Sequence, residues 1–112
     1  MNPITWQDFE QIELRTGTII EVHDFPKARK PAWQLLIDFG ADIGKKKSSA
    51  QITDLYDKEA LLGKQIIAVV NFPPKQIGNF ISECLVTGFV QDDNSVVLAV
   101  PDTPTANGLK LL

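Results

Sequence analysis

The sequence has few of the side chains that catalysis and metal binding usually need. It contains one cysteine, Cys84, and one histidine, His23, so it offers neither an internal disulfide nor a His- or Cys-rich ligand set. It lacks an HExxH motif, a GxSxG motif and a phosphate-binding glycine loop. Cys84 lies in an apolar stretch and is expected to be a buried small hydrophobe, whereas His23 is expected at the surface. We therefore predict that the protein is not an enzyme and binds no metal or cofactor.

The sequence also lacks any apolar run long enough to cross a bilayer, and its first residues lack the basic and apolar regions of a signal peptide. These absences predict a cytoplasmic protein without membrane insertion. The chain has 112 residues, of which 44% are apolar and 22% charged. This composition is typical of one globular domain that spans residues 1–112.

Charge is unevenly distributed along the chain. The net charge of −3 argues against a general polyanion binder, so any nucleic-acid site must be a local patch. Residues 27–47 contain six Lys or Arg and two acids, whereas acids predominate elsewhere. This asymmetry is the main compositional indication of an anionic partner.

The N-terminal segment, residues 3–12, is predicted to be a short helix. Thr5 can be its N-cap, and Asp8 lies at the position that completes a capping box. Helical spacing places three apolar residues in one stripe, namely Trp6, Phe9 and Ile12. A helix of this length is marginal alone, so it is expected to dock on its own sheet or on a partner subunit.

The rest of the chain alternates in the manner of β-strands. Strands are predicted at residues 14–22, 33–39, 44–52, 65–72, 85–90 and 96–100, and a helix at 53–62 with Thr53 as its N-cap. Gly17 inside the first strand indicates a bend or a close backbone approach. Three strands, a helix and further strands predict an all-β fold, a five-stranded Greek-key OB-fold barrel with a helix between strands 3 and 4 and an extra C-terminal strand.

Several strands are too apolar for a barrel surrounded by water. Residues 66–70, 85–90 and 96–100 have apolar side chains on both faces. We expect the N-terminal helix and a second subunit to cover part of this surface. A homodimer is therefore predicted, with residues 1–12 and 92–112 at its interface.

Two separate segments of the sequence are predicted to form the two walls of a binding groove. One wall is the lysine run at the start of the third strand, Lys45, Lys46 and Lys47, which could clamp phosphates or protect an edge strand from aggregation. The other is the loop between strands four and five, residues 71–83, whose polar candidates are Asn71, Lys75, Ser82 and Glu83. The basic residues Lys27, Arg29 and Lys30 are interpreted as a solvated turn.

Apolar residues near the same loop form a second candidate set, for peptide binding, made of Trp33, Phe72, Phe80 and Ile81. Phe80 could stack on a base or pack as a lid on the barrel, and we favour the lid. Trp33 is interpreted as a core or interface anchor rather than as a stacking platform.

Four segments carry a resemblance to a known family: residues 14–19 (LRTGTI), 37–40 (IDFG), 48–53 (SSAQIT) and 69–78 (VVNFPPKQIG). They resemble the CsaA-type members of the tRNA-binding-domain family, which also includes the C-terminal appendix of methionyl-tRNA synthetases and the endothelial monocyte-activating polypeptide. The similarity covers about residues 9–112. Gln76 departs from the broader family, where a basic residue is commoner.

The resemblance implies a homodimeric OB-fold without enzymatic activity, whose terminal segments help to form the subunit contact. It places Asn71, Lys75, Ser82 and Glu83 on the polar groove of the family. Relatives bind tRNA with little sequence preference, and CsaA proteins are secretion-related chaperones that bind unfolded or precursor polypeptides. We therefore expect a tRNA-binding module, with polypeptide chaperoning in an apolar part of the same groove as the alternative.

Overall fold

The computed structural model describes all residues from Met1 to Leu112 and contains two short helices and nine short strands. In chain order they are α1 (Trp6–Glu10), β1 (Leu14–Asp24), β2 (Trp33–Asp38), β3 (Lys45–Ala50), α2 (Lys58–Leu61), β4 (Gln65–Val69), β5 (Lys75–Ile77), β6 (Phe80–Ser82), β7 (Leu85–Val86), β8 (Gly88–Val90) and β9 (Val96–Leu98). Neither helix has the length and apolar character needed to cross a membrane.

Five strands form one antiparallel sheet in the order β3-β2-β1-β4-β7. The sheet curls so that its two ends approach each other and the barrel nearly closes. The Ser48 hydroxyl donates to the Cys84 carbonyl at 3.0 Å, and the Glu83 N–H donates to the Lys47 carbonyl at 2.7 Å. The predicted all-β, five-stranded OB-type barrel is thereby confirmed.

The core fills the inside of this barrel. Its fully buried side chains come from alternate positions of β1, β2 and β4 and from α2: Ile19, Leu35, Ile37, Leu61 and Ile66. Burial of each such side chain stabilises the fold by roughly 1.5–3 kcal/mol. A Cβ added to Gly17 would lie 2.7 Å from the Phe39 ring, which confirms the predicted close approach at this glycine.

The predicted capping box at the N-terminus is confirmed. The Thr5 hydroxyl accepts from the Asp8 N–H at 3.1 Å, and the Asp8 carboxylate accepts from the Thr5 N–H at 3.0 Å. The helix that follows buries no residue, and the Trp6 side chain remains 63% exposed. Within this chain, the N-terminal capping box therefore stabilises α1, and burial of its side chains against the barrel does not.

The prediction of a helix over residues 53–62 was wrong about where the helix begins. The N-cap of α2 is Asp57, whose carboxylate accepts from the Ala60 N–H at 2.7 Å, and not Thr53. Tyr56 just before it is held by tertiary contacts, because its carbonyl accepts from Trp33 Nε1 and its hydroxyl from the Leu98 N–H, both at 3.0 Å. These contacts and the extended backbone of Asp57 keep the preceding residues out of the helix.

Two predicted boundaries in the second half of the chain also differ. The predicted loop 71–83 contains an antiparallel hairpin of β5 and β6. The predicted strand 85–90 is divided at Thr87, whose N–H donates to the Ile67 carbonyl while its own carbonyl accepts from the Ala99 N–H. At Thr87 the chain leaves the barrel sheet and enters a separate hairpin formed by β8 and β9.

The predicted extra strand at residues 96–100 corresponds to β9, and the C-terminal segment after it runs beside the first half of β1. The Leu109 carbonyl accepts from the Thr16 N–H at 3.0 Å, and the Leu111 N–H donates to the Leu14 carbonyl at 2.9 Å. The Lys110 ammonium donates to the Glu10 carbonyl and to the Glu13 carboxylate, so this segment also lies next to α1. The two ends of the chain therefore share one side of the barrel.

Candidate functional site

The β5–β6 hairpin presents two different faces because paired residues of an antiparallel ladder lie on the same side. Lys75 pairs with Ser82 and Ile77 pairs with Phe80, and these four side chains face the barrel. Ile81 lies on the outer face and is 43% exposed. The structure thus brings Lys75, Phe80 and Ser82 together and separates Ile81 from them.

Ser82 and Glu83 attach this hairpin to β3. The Ser82 hydroxyl accepts from the Ser49 N–H at 3.1 Å, and the Glu83 carboxylate accepts from the Lys47 N–H at 2.9 Å. These acceptors satisfy two donors on the free edge of β3. Both predicted groove residues therefore have a partner within the chain, and they position the wall of the groove.

The lysines of β3 do not form one cluster. Lys45 and Lys47 are exposed on the outer face, whereas Lys46 is half-buried on the side of Ser48. The Lys47 ammonium lies 5.4 Å from the centre of the Phe80 ring, a cation–π distance. None of the three ammonium groups forms an ion pair, so Lys45 and Lys47 remain available to an anionic ligand.

Phe80 packs over Phe25 rather than projecting into solvent. Their ring centres are 5.4 Å apart with a tilt of 55°, and Phe25 is buried. The favoured interpretation of Phe80 as a lid agrees with this packing. The contact also places the turn after β1, with its exposed Lys27, Arg29 and Lys30, beside the hairpin. The sequence gives one signal for that proximity, an aromatic residue at the start of a basic turn.

Two other candidates have contacts away from the hairpin face. The Asn71 side chain accepts from the Glu13 N–H at 3.0 Å and donates to the Gln11 carbonyl at 2.8 Å, so it ties the end of β4 to the end of α1. Trp33 is half-buried beside α2, with the Lys58 ammonium 5.8 Å from its ring. Neither side chain lines the cleft described next.

An apolar cleft of about 730 Å³ lies between the end of β3, the hairpin and β7–β9. Its lining includes Phe72, Ile77, Cys84 and Val96, with Lys75 as its one charged side chain. Burial raises the pKa of the Cys84 thiol to about 12, so the thiol stays protonated at neutral pH. Cleft volume and lining suit an apolar ligand rather than nucleophilic chemistry.

No three His, Cys, Asp or Glu side chains lie close enough together to bind a metal ion. The site therefore consists of two adjoining parts. One is a basic face formed by Lys45, Lys47 and the turn at residues 27–30, and the other is the apolar cleft with Lys75 at its wall. Both parts lie on a nearly closed barrel of the OB type, an architecture that also occurs in oligonucleotide- and oligosaccharide-binding modules.

Comparison with known proteins identifies the family. Residues 14–110 match the family model described as "Putative tRNA binding domain", and the chain belongs to this family. A methionine–tRNA ligase from Pyrococcus horikoshii is 32% identical over 99% of the chain. The chain spans 13–17% of the length of three curated methionine–tRNA ligases that it matches, so the match concerns a small part of those enzymes.

Solved structures of similar proteins agree in fold and sequence. The CsaA chaperone protein from Picrophilus torridus is 55% identical, with a TM-score of 0.92, and the alignment covers 98% of this chain and 100% of that one. The chaperone CsaA from Bacillus anthracis str. Ames is 47% identical, with a TM-score of 0.93 and coverage of 99% and 100%. The predicted resemblance to the CsaA type is confirmed.

Proposed function

We propose that this protein is a non-enzymatic module that binds structured RNA, tRNA above all, on its basic face and largely without sequence preference. The observation that carries the proposal is the placement of Lys45 and Lys47 on one exposed strand face without ion-pair partners, beside a basic turn. Membership of the tRNA binding domain family supports it. A cytoplasmic location belongs to the same proposal.

Phosphate contacts would supply most of the affinity, because the site offers cations and few free base-reading groups. Phe80 is occupied by Phe25, and Ser82, Glu83 and Asn71 bond to the backbone of the chain itself. Lys45 and Lys47 are therefore assigned the main phosphate contacts, the half-buried Lys46 and the cleft residue Lys75 weaker ones at the margin of the basic face, and the three polar residues the positioning of the groove. Contacts of this kind recognise the shape of a folded RNA rather than its sequence.

The test is a titration with bulk tRNA at several salt concentrations. Each phosphate contact contributes about −0.7 to −0.9 to the slope of log affinity against log salt. The double variant Lys45→Ala/Lys47→Ala should weaken binding and make the slope less negative by about two contacts. Lys46→Ala should change both less, because Lys46 is half-buried on the other strand face.

Lys64→Ala is the matched control, since this lysine lies over the Tyr56 ring, 5.8 Å from its centre, and outside the site. Unchanged tRNA affinity in the double variant, or an equal loss in the control, would reject the basic face as the RNA site.

A second function, polypeptide chaperoning, is favoured by the apolar cleft and by the similarity to proteins described as CsaA chaperones. Exposed Phe72 at the cleft and Ile81 on the outer hairpin face could contact an unfolded segment. Such binding should depend weakly on salt and show a negative heat-capacity change. Failure to delay the aggregation of an unfolded client would reject it.

A homodimer is part of the same proposal. Large apolar side chains remain exposed on α1, on the residues that flank it and on the C-terminal segment: Ile4, Trp6, Ile12, Leu109, Leu111 and Leu112. A patch of this kind on one side of a small domain is typical of a subunit contact. A second copy of the chain would cover it.

A further inference from the structure

The wall of the apolar cleft combines an isolated charge with an unpaired strand edge. Lys75 is the single charged residue of its lining, and the ammonium group forms no ion pair. Strand β5, which starts at Lys75, pairs with β6 on one side and with no strand on the other. The cleft therefore offers apolar contacts, backbone hydrogen-bonding groups and one cation.

From this combination, and resting on the proposed function, we infer that the cleft selects extended apolar polypeptide segments that carry an aspartate or glutamate, and that such a segment competes with RNA for Lys75.

A polypeptide is the occupant that fits all three features. A free strand edge is a template for an added strand, which would satisfy the backbone groups of β5. Alternate side chains of that strand would enter the cleft beside Phe72, Ile77 and Val96. A carboxylate close to the start of β5 would pair with Lys75, whereas a basic residue at that position would be repelled. The charge pattern thus favours acidic over neutral and basic segments.

Competition with RNA follows from the position of the hairpin. Lys75 lies at the wall of the cleft, so its ammonium cannot neutralise a carboxylate in the cleft and an RNA phosphate at the margin of the basic face at the same time. The hairpin also contacts the Lys47 ammonium, which lies 5.4 Å from the centre of the Phe80 ring. A segment bound to β5 would therefore act on both lysines, and by linkage RNA would weaken polypeptide binding by the same factor.

The first experiment compares three labelled nine-residue peptides that have identical apolar residues and a central Asp, Asn or Lys. For the wild-type protein at low salt we expect the Asp peptide to bind about three- to fivefold more tightly than the Asn peptide, and the Lys peptide to bind most weakly. Lys75→Met should remove the difference between Asp and Asn. The control Lys64→Met should retain it, because Lys64 lies outside the cleft.

The second experiment repeats the tRNA titration with saturating Asp peptide. The apparent tRNA affinity should fall about three- to tenfold, and the salt slope should become less negative by about one contact. Absence of peptide binding, equal affinity for the Asp and Asn peptides, or unchanged tRNA affinity under saturating peptide would overturn the inference. The titration without peptide tests the RNA function separately. If tRNA does not bind at all, that function and the competition both fail, and the Asp–Asn comparison alone decides the polypeptide selectivity.

Discussion

Lys47 and Glu83 are joined by two hydrogen bonds that close the barrel. The Glu83 carboxylate accepts from the Lys47 N–H at 2.9 Å, and the Glu83 N–H donates to the Lys47 carbonyl at 2.7 Å. The Glu83 carboxylate supplies the hydrogen-bond acceptor that a neighbouring strand would otherwise supply at the edge of β3. The same pair brings an acidic group next to a lysine of the basic face, so Glu83 contributes to both stability and electrostatics.

Replacement of Glu83 should separate these two effects. Glu83→Ala leaves the Lys47 N–H without its partner and should lower the free energy of unfolding by about 1 kcal/mol. Glu83→Gln keeps an acceptor oxygen and removes a negative charge, so we expect near wild-type stability and about twofold tighter tRNA binding. Urea unfolding and tRNA titration measure the two quantities.

Glu59→Gln provides the control for net charge, because Glu59 is an exposed acid on α2 without a hydrogen-bonded side chain. It should leave tRNA affinity close to that of the wild type. Weaker tRNA binding by Glu83→Gln would contradict the positioning role and indicate that the carboxylate itself contacts the ligand.

Asn71→Ala should loosen the N-terminal helix rather than weaken RNA binding. The substitution removes the bonds to the Glu13 N–H and the Gln11 carbonyl, and we expect a loss of about 1–2 kcal/mol in the free energy of unfolding. Amide exchange at the end of α1 should become faster. Asn79→Ala, at an exposed turn position, is the control for loss of a carboxamide and should have little effect on stability. A severalfold loss of tRNA affinity at unchanged stability would instead make Asn71 a ligand contact.

Local patterns in the sequence predicted the barrel well. The Thr5–Asp8 capping box, the alternation of buried residues along β2 and the glycine at position 17 each depend on near neighbours or on a steric rule, so one chain suffices to predict them. The start of α2 was missed because Thr53 and Asp57 are comparable caps by sequence. The contact between Trp33 and Tyr56, distant in the chain, decides between them.

The candidate site was harder to predict for a related reason. A polar loop residue has the same appearance in a sequence whether it binds a ligand or the backbone of its own chain. Asn71 bonds to a residue 58 positions away, and Ser82 to one 33 positions away, and no local pattern encodes either contact. Strand alternation, by contrast, would have separated Lys46 from Lys45 and Lys47.

The stability of the fold should fall in acid in a manner that depends on Glu13. Hydrogen bonds from Lys110 and then from Arg15 lower the pKa of the Glu13 carboxyl below its ordinary value of 4.5. A lowered pKa in the folded state means that Glu13 contributes stability above its unfolded pKa, and that this contribution is lost as the pH falls through the folded value. Glu13→Gln should therefore show a smaller loss of stability than the wild type between about pH 6 and pH 3.

Asp93 serves as the internal comparison for that measurement. Hydrogen bonds from the Ser95 side chain and backbone lower its pKa too, and it lies on the turn between β8 and β9. Asp93→Asn should remove the loss of stability in acid that Asp93 causes and leave the loss that Glu13 causes. Because the two sites are independent, the stability of the double variant should depend least on pH. An unaltered pH profile in Glu13→Gln would show that the Lys110–Glu13–Arg15 contacts do not persist in solution.

The exposed side of α1 provides the test of the homodimer. Trp6 is 63% exposed, and its ring centre lies 5.8 Å from that of Phe9. The same helix contacts the C-terminal segment at its other end, where the Lys110 ammonium donates to the Glu10 carbonyl. Trp6→Glu should place a charge in the subunit contact and convert the sedimenting species from a dimer to the 12.4 kDa chain, with an unchanged circular dichroism spectrum because α1 buries no residue in the monomer. Gln7→Glu adds the same charge at the neighbouring position of the helix and should remain dimeric. A wild-type protein that sediments as a monomer at micromolar concentration, or a Trp6→Glu variant that stays dimeric, would exclude α1 from a subunit contact.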